Sequence, residues 1–178
     1  MERIQQTIQE MLVDRGYDNF IYNAEEYENY ITKEDGSILA IFLLDDAKVG
    51  VKSIKEILDA VEGNTNHVIF VYKSDMTTFA KQFLNENFND TIRIELFSYK
   101  ELIFNIMKHE YVPHHEIVSQ NKKLDLMKAF KITKEGQFPK ILQTDPVVKY
   151  LGGKKGDLIK IYRNSEITGT SIYYRLCV

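Results

Sequence analysis

The sequence predicts an α/β domain over residues 1–108, followed by a small α+β domain over residues 109–178. In the first part, apolar runs that suit buried strands alternate with helical patterns, which is the order of a sheet with helical crossovers. Pro113 interrupts this alternation, because proline cannot continue a helix. The two parts also differ in charge: residues 1–108 carry 11 Lys and Arg against 19 Asp and Glu, and residues 109–178 carry 12 against 7.

The elements of the first part follow from the spacing of apolar residues. Residues 4–12 show a helical spacing, and Gly16 suits the end of that helix. Residues 22–36 are acidic and rich in tyrosine, and end in a turn signal. Strands are predicted at residues 38–44, 67–72 and 92–97. We expect Ser53 to cap the helix before the second strand, Asp75 or Thr77 to start the next helix, and a capping box of Ser98 and Glu101 to open a last helix over residues 101–108.

The second part predicts two helices and a terminal pair of strands. Ser119 suits the cap of a helix that runs to residue 130, and residues 137–146 have no regular pattern. Pro146 suits the first turn of a short helix, with Thr144 or Asp145 as its cap and Gly152 at its end. Residues 154–157 predict a turn, and residues 158–163 and 171–178 alternate as two strands.

The composition argues against a membrane-spanning or a secreted protein. The longest apolar run covers residues 38–44, whereas a membrane helix needs about 20 apolar residues. The first ten residues carry charge where a signal peptide needs an apolar core. Cys177 is the single cysteine, so an internal disulfide is excluded and a reducing, intracellular compartment is favoured. We expect no cofactor, no small-molecule substrate and no membrane contact.

The stretch TDPVVKYLGGKKGD, residues 144–157, has the glycines and lysines of a phosphate-binding loop. Such a loop needs G-x-x-x-x-G-K-[ST] after a strand and before a helix. Here the glycine pair follows a predicted helix and precedes a predicted strand, and Asp157 stands where the lysine is required. The stretch is therefore predicted to be a helix end and a turn.

Two further groups of residues could suggest a metal site or a nuclease site. His109, His114 and His115 could suggest a metal site, but neighbouring residues on an extended chain point to opposite faces, and no further ligand stands at suitable spacing. A magnesium-dependent nuclease of the restriction-enzyme type would need an aspartate, such as Asp45 or Asp46, followed by an acid-x-lysine. In Gly50-Val51-Lys52 the acidic position holds glycine, and magnesium needs nearly complete oxygen coordination. Catalysis is not expected, and Cys177 is predicted to fill the core.

The second part contains a series of motifs with a fixed order. HEYVPHH, residues 109–115, matches His-Glu-x-Val-Pro-x-His, and residues 138–146 contain an aromatic variant of Leu-Pro-x-Ile followed by Asp-Pro. Residues 150–156 match aromatic-x-Gly-x-Lys-x-Gly, and residues 163–175 match Arg-x-Ser-Glu-x-x-Gly and Tyr-Arg. This series resembles the conserved C-terminal domain of the fifth subunit of eukaryotic RNA polymerases, which is shared by polymerases I, II and III and has an archaeal counterpart.

The resemblance implies a non-catalytic structural subunit whose C-terminal domain docks on the largest subunit of a DNA-directed RNA polymerase and contacts neighbouring subunits. The resemblance also implies which residues serve polymerase assembly, namely those that match the family motifs. They are His109, Pro113, His115, Pro139, Asp145, Pro146, Tyr150, Gly152, Gly156, Arg163, Ser165, Glu166, Gly169, Tyr174 and Arg175.

The first part resembles the eukaryotic form of the same subunit more loosely, through residues 14–17, 48–58 and 68–82. The family implies a restriction-endonuclease-like fold without nuclease activity, forming part of a jaw around downstream double-stranded DNA. The family's Thr-Pro-Ser-Ala in the DNA-facing loop is here Thr77-Thr78-Phe79-Ala80, so the proline is missing. The segment between Tyr17 and Ile38 is also short, and a compact, diverged copy of this kind suits a large DNA virus that encodes its own polymerase.

The charge of the first part limits how it could bind DNA. Residues 1–108 have a balance of −8 from the residues counted above, and DNA binding depends on neutralising phosphates with Lys and Arg. Contact must therefore be local, and the residues expected to lie near DNA are Lys73, Thr77, Thr78 and Lys81. The alternatives are a nuclease-like processing enzyme and a free-standing DNA-binding regulator. The expected location is the nucleus for a cellular protein, and a cytoplasmic factory or the virion for a viral one.

Overall fold

The computed structural model describes residues 2–17, 28–32, 38–45, 49–61, 65–74, 76–87, 92–165, 167 and 169–178. The chain divides into two compact units, unit 1 over residues 1–104 and unit 2 over residues 105–178. Each unit contains one four-stranded sheet together with helices. The predicted fold class is confirmed at this level: both units are mixed α and β.

Unit 1 has a mostly parallel sheet of strand order β1-β2-β3-β4. Strand β1 runs antiparallel to β2, while β2, β3 and β4 are parallel to one another. The strands are β1 (Glu28–Thr32), β2 (Ile38–Leu44), β3 (His67–Tyr72) and β4 (Arg93–Ser98). The helices are α1 (Glu2–Asp14), α2 (Val51–Val61) and α3 (Thr78–Asn87), of which α2 and α3 are the crossovers between parallel strands.

The two central strands of unit 1 are buried on both faces, which explains why they are continuous apolar runs. Phe42 and Phe70 pack on one face in a cluster with residues of α2 and α3. Ile41 and Ile69 point to the opposite face and are also fully buried. Helix α1 buries its own apolar side, which includes Ile8.

Unit 2 has a sheet of order β5-β7-β8-β6, in which β7 pairs antiparallel with β5 and β8, and β6 pairs parallel with β8. The strands are β5 (His114–Val118), β6 (Lys140–Ile141), β7 (Leu158–Ser165) and β8 (Gly169–Cys177). The helices are α4 (Gln120–Ala129) and α5 (Pro146–Leu151), with short 3-10 helices at Ile106–Lys108 and Glu135–Gln137. None of the helices in the described part of the chain is long and apolar enough to cross a membrane.

Among the described residues of unit 2, the core forms two small clusters. Leu158 and Leu176 pack with Phe138 and with apolar residues of α4. Ile159 and Cys177 point to the other face, where they pack with Val148 of α5. Cys177 is fully buried, so its predicted role as a core filler is confirmed.

Most predicted elements are present at or near their predicted bounds. Gly16 follows α1 with a φ of 80°, in the left-handed region that suits glycine. Strand β4 begins one residue later than predicted, and β7 and β8 extend two residues further toward their connection. Ser119 stands directly before α4, but its side chain makes no capping hydrogen bond.

Two local predictions were wrong, and three short strands were not predicted. Ser53 lies inside α2, which begins at Val51. The Ser98 N–H donates to Glu101 Oε2 at 2.7 Å, as the predicted capping box requires, but two 3-10 helices, Tyr99–Leu102 and Ile106–Lys108, take the place of the predicted helix. The acidic segment 22–36 contains β1, and the segments around Pro113 and Pro139 contain β5 and β6. The turn signal at residues 35–36 lies outside the described residues.

Candidate functional site

The predicted DNA-proximal residues lie within residues 73–81, which comprise the loop after β3 and the first turn of α3 and which we call the α3 loop. Lys73 Nζ lies 2.8 Å from Asp45 Oδ1, and the Lys73 N–H donates to the Leu44 carbonyl. Asp45 follows β2, so the two side chains meet because the carboxyl ends of parallel strands lie at the same edge of the sheet. Lys73 is thus already neutralised within the chain, which reduces its value as a phosphate contact.

The other predicted residues of the α3 loop divide into a cap and a solvent-facing pair. Thr77 Oγ1 accepts a hydrogen bond from the Ala80 N–H at 3.2 Å, so Thr77 is the cap of α3, one of the two predicted alternatives. Asp75, the other alternative, lies outside the described residues. Thr78 and Lys81 are exposed, and Phe79 is 78% exposed where the family pattern has serine.

The residues tested for nuclease chemistry are not gathered into one site. Gly50 precedes α2, and Val51 and Lys52 form its first turn, so none of the three lies on a strand. The Lys52 ammonium is exposed and lies 3.8 Å from Glu56, its neighbour one turn along the helix. Asp45 is engaged by Lys73 at the edge of the sheet, and Asp46 lies outside the described residues.

A buried charge cluster in unit 1 was not predicted from the sequence. Glu95 on β4 accepts from Arg15 at 2.7 Å, from Arg93 at 2.7 Å and lies 2.8 Å from His67 Nε2. Burial on its own would raise the pKa of Glu95, but Arg15, His67 and Arg93 together lower it to about 2. Burial also lowers the pKa of His67, although Glu95 opposes that change. The cluster ties the segment after α1 to two strands, and spacing in the sequence gives no signal for it.

In unit 2 the predicted caps of α5 are confirmed. Asp145 Oδ1 accepts from the Val147 N–H at 3.0 Å and the Val148 N–H at 3.3 Å, and Pro146 occupies the first turn. Gly152 ends the helix with a φ of 71°. Tyr150 is buried, so this part of the motif series folds α5 onto the sheet.

Residues 154–157 form the predicted turn, which we call the lysine turn. The Asp157 N–H donates to the Lys154 carbonyl at 2.9 Å, and Asp157 Oδ2 accepts from the Lys154 N–H at 2.7 Å. Gly156 has a φ of 93°, a conformation that glycine adopts without strain. Gly153 was not singled out from the sequence, yet a Cβ there would lie 2.6 Å from Val148 Cγ1.

A buried lysine supports the lysine turn from the side. Lys123 on α4 is 2% exposed, and its Nζ donates to the Gly156 carbonyl at 2.8 Å and lies 2.6 Å from Glu135 Oε1. This contact was not predicted from the sequence, because a lysine within a helix is usually solvated.

The histidines at the start of unit 2 point in different directions, as predicted. His115 is buried, and its Nδ1 lies 2.6 Å from the Pro113 carbonyl. Burial lowers the pKa of His115. His114 lies on the opposite face against the Tyr162 ring, at 5.4 Å between centroids, and His109 Nδ1 accepts from a nearby N–H. Among the described residues, no group of three or more His, Cys, Asp or Glu is placed to hold a metal ion.

The remaining motif positions lie on the terminal hairpin and its neighbours. The Arg163 guanidinium stacks over the Tyr173 ring at 5.0 Å, and Tyr174 contacts the Phe130 ring at 5.9 Å. Arg175 donates to the Lys140 carbonyl at 3.4 Å. The Pro139 carbonyl accepts a hydrogen bond from the Leu176 N–H. Ser165 and Gly169 pair with each other at the end of the hairpin, and Glu166 lies outside the described residues.

A second polar network, also not predicted from the sequence, lies across β5 and β7. Tyr162 accepts a short hydrogen bond from Lys160 Nζ and donates to Glu116 Oε1 at 3.0 Å. Although burial opposes the change, the bonds from Tyr162 and Lys160 lower the pKa of Glu116. The network ties the edge strand to the centre of the sheet.

Comparison with known proteins gives one consistent family. Residues 104–177 match the family model described as RNA polymerase Rpb5, C-terminal domain. The chain is 36% identical to the DNA-directed RNA polymerases I, II, and III subunit rpabc1 of Dictyostelium discoideum, over 99% of this chain and 96% of the relative. It is 34% identical to the subunit RPABC1 of Caenorhabditis elegans, over 99% of this chain and 94% of the relative.

The two relatives align with both units at nearly full length, so the similarity extends beyond the C-terminal motif series. The chain belongs to the Rpb5 (RPABC1) family of DNA-directed RNA polymerase subunits.

Proposed function

We propose that the chain docks on the largest subunit of its polymerase through unit 2 and that unit 1 helps to hold downstream DNA. Family membership makes the chain a non-catalytic structural subunit of a DNA-directed RNA polymerase, so that its partners are other polymerase subunits. The single observation that carries this function is the nearly full-length similarity to the shared subunit.

The docking role of unit 2 is supported by the distribution of its motif residues. Asp145, Gly152 and Gly156 fold the unit, whereas His109 and Arg163 are exposed on it. Exposed positions in a family motif series have no part in the core, and are therefore candidates for contact with a partner. The excess of basic residues in this unit suits an acidic partner surface.

The DNA-proximal role of unit 1 is supported by the α3 loop alone. The unit as a whole is acidic, so that a broad contact with DNA would be repulsive. Thr78 and Lys81 are exposed at one edge of the sheet and suit a single local contact with phosphates, which positions a duplex without reading its sequence. Lys73 and Thr77 would serve this contact indirectly, by fixing the loop.

We further propose that unit 1 has an inactive restriction-endonuclease-like fold. Its sheet is mostly parallel with helical crossovers, and its candidate residues Asp45 and Lys52 are drawn into ion pairs with Lys73 and Glu56. The proposed location is the nucleus in a eukaryotic cell, or a cytoplasmic factory or virion if a virus encodes the chain.

Cross-linking of reconstituted complexes tests these assignments. The full-length chain is added to its polymerase from which this subunit has been removed, with a downstream duplex in place. Lysines of unit 2 are expected to link to the largest subunit, and a photoreactive group at position 78 is expected to link to downstream DNA. Links from unit 1 alone to the largest subunit would reverse the two roles, and magnesium-dependent cleavage of DNA by the chain would contradict the inactive fold.

A further inference from the structure

The lysine turn, residues 154–157, joins α5 to β7 and carries two adjacent exposed lysines, Lys154 and Lys155. Its backbone is bonded at both ends: Asp157 accepts from the Lys154 N–H through its side chain and donates to the Lys154 carbonyl through its N–H. The Gly156 N–H donates to the Cys177 carbonyl at 2.9 Å, and the Cys177 N–H donates to the Asp157 carbonyl at 2.8 Å. The turn is thereby fixed to the last strand of the sheet.

Lys123 fixes the same turn from α4. A buried ammonium group is costly unless it is paired and hydrogen-bonded. Lys123 satisfies this requirement with the Glu135 carboxylate at 2.6 Å and the Gly156 carbonyl at 2.8 Å. The Gly156 carbonyl is therefore held in one direction, and with it the backbone that carries Lys154 and Lys155.

The two exposed lysines contrast with this fixed backbone. Within the part of the chain that the structure describes, neither Lys154 nor Lys155 has an ion-pair partner. The side chain that supports the turn is bonded inside the protein, while the two side chains that the turn presents are left to the solvent. Their ammonium groups are therefore available to a partner molecule.

We propose that Lys154 and Lys155 form a pre-oriented cationic contact for an acidic surface of a neighbouring polymerase subunit, and that Lys123 is the residue that positions them. This inference rests on the proposed function of unit 2 in docking. Exposed ion pairs are usually weak, because the Coulomb energy is small in water and because ordering two long side chains costs entropy. Here the backbone that carries the lysines is already ordered, so that contact costs side-chain entropy but no ordering of the loop.

A protein surface is favoured over nucleic acid as the partner. Binding to nucleic acid gains its strength from many phosphate contacts, whereas the turn offers two lysines. Charged groups at the rim of a protein interface act mainly on the rate of association and on its dependence on salt. The proposal therefore predicts an effect on the rate of assembly that decreases as salt rises.

The test measures the association rate of the full-length chain with its polymerase lacking this subunit, from low to high salt. Lys154→Ala/Lys155→Ala is expected to lower the rate at low salt by roughly twofold to thirtyfold, the range expected for two exposed ion pairs, and to leave the melting temperature unchanged. Lys128→Ala/Lys134→Ala is the matched control, because it removes the same charge from exposed positions in the same unit. An equal loss in both variants would mean a general charge effect and would overturn the proposal.

The positioning role of Lys123 is tested separately. Lys123→Met removes the ammonium group but keeps an apolar stem, and it is expected to reduce the ratio of association rates at low and high salt as well as the melting temperature. Lys123→Arg should restore the salt ratio. A lowered melting temperature with an unchanged salt ratio would assign Lys123 to folding only.

Two further outcomes separate the inference from the function on which it rests. If the parent chain does not bind the polymerase, the proposed function fails. If the parent binds and the Lys154→Ala/Lys155→Ala variant associates equally fast at every salt concentration, only the inference fails. Normal assembly combined with weaker retention of nucleic acid would make nucleic acid the partner of the turn, which also contradicts the proposal.

Discussion

The two units reach a stable sheet in different ways. In unit 1 the central strands are parallel and apolar on both faces, and the charged groups that lie among them are gathered around Glu95. In unit 2 the sheet is mainly antiparallel, each core cluster is small, and caps, turns and a buried lysine hold the connections. Unit 1 depends on burial and on the ion cluster around Glu95, whereas unit 2 depends on many local hydrogen bonds.

This difference explains where the family resemblance is most specific. A buried strand can exchange one apolar residue for another of similar volume, so its sequence drifts while the fold is kept. A helix cap or a turn with positive φ accepts few residue types. The motif series of unit 2 contains such positions, among them Asp145, Gly152 and Gly156.

The largest effect is expected from breaking the ion cluster of unit 1. Glu95→Ala leaves Arg15 buried without its carboxylate, and removal of one partner of a buried pair costs about 3–5 kcal/mol. Urea unfolding followed by a probe in unit 1 measures the loss. Lys52→Ala is the control, since its pair with Glu56 is exposed. A midpoint shift for Glu95→Ala no larger than that of the control would show that the cluster is not essential to unit 1.

A second prediction concerns acid. The pKa of Glu95 is about 2 in the folded chain, below its ordinary value of 4.5, so the folded state favours the charged form. Its contribution, about 3 kcal/mol, is present above pH 4.5 and is lost as the pH falls toward 2. Since burial also lowers the pKa of His67, stability begins to fall below the ordinary pKa of histidine, 6.5.

Stability measured across this range, in the parent and in Glu95→Gln, tests the assignment. The variant is expected to be less stable near neutral pH and to lose less between pH 4.5 and 2. Parallel curves for the two proteins would mean that other carboxylates cause the acid loss.

How much of each unit could be predicted follows from the range of its interactions. Asp145, Gly152 and the turn at Asp157 were predicted because caps and turns are set by residues close in sequence. β1 and β5 were missed because their short sequences, ENYIT and HHEIV, carry charged or histidine residues in place of an apolar run. The α3 loop was located from the sequence, but the engagement of Lys73 by Asp45 was not.

Two of the missed contacts join residues that lie far apart in the sequence. Arg15 and Glu95 stand 80 positions apart, and Lys123 and Gly156 stand 33 apart. Arg15 and Lys123 are of residue types that are usually solvated, but here each is buried beside its partner. The local sequence pattern therefore predicts a solvent-exposed side chain where the structure has a buried one. Such pairs become visible only once strand order and helix placement are known.

A smaller effect is expected from packing at the end of α5. Gly153→Ala would place a Cβ 2.6 Å from Val148 Cγ1, and overpacking of this kind costs about 1–3 kcal/mol. Gly136→Ala is a close control, because a Cβ there meets no atom within 4 Å. Thermal unfolding of unit 2 should separate the two variants. If both melt at the parent temperature, the connection into the lysine turn has more room than its geometry indicates.

The smallest effect is expected at the α3 loop, where the proposed DNA contact rests on few side chains. Thr78→Ala/Lys81→Ala removes the exposed pair while the Thr77 cap and the Lys73–Asp45 ion pair remain, so that folding should be unchanged. In reconstituted elongation complexes, loss of one phosphate contact should weaken the hold on downstream DNA about equally for all sequences and flatten the salt dependence by about one unit of slope. Lys100→Ala, at an exposed position in unit 1 outside the loop, is the charge-matched control. A change of slope in the loop variant but not in the control would assign the DNA contact of unit 1 to the α3 loop. An unaltered slope would mean that the α3 loop only connects β3 to α3 and that its cap serves folding alone.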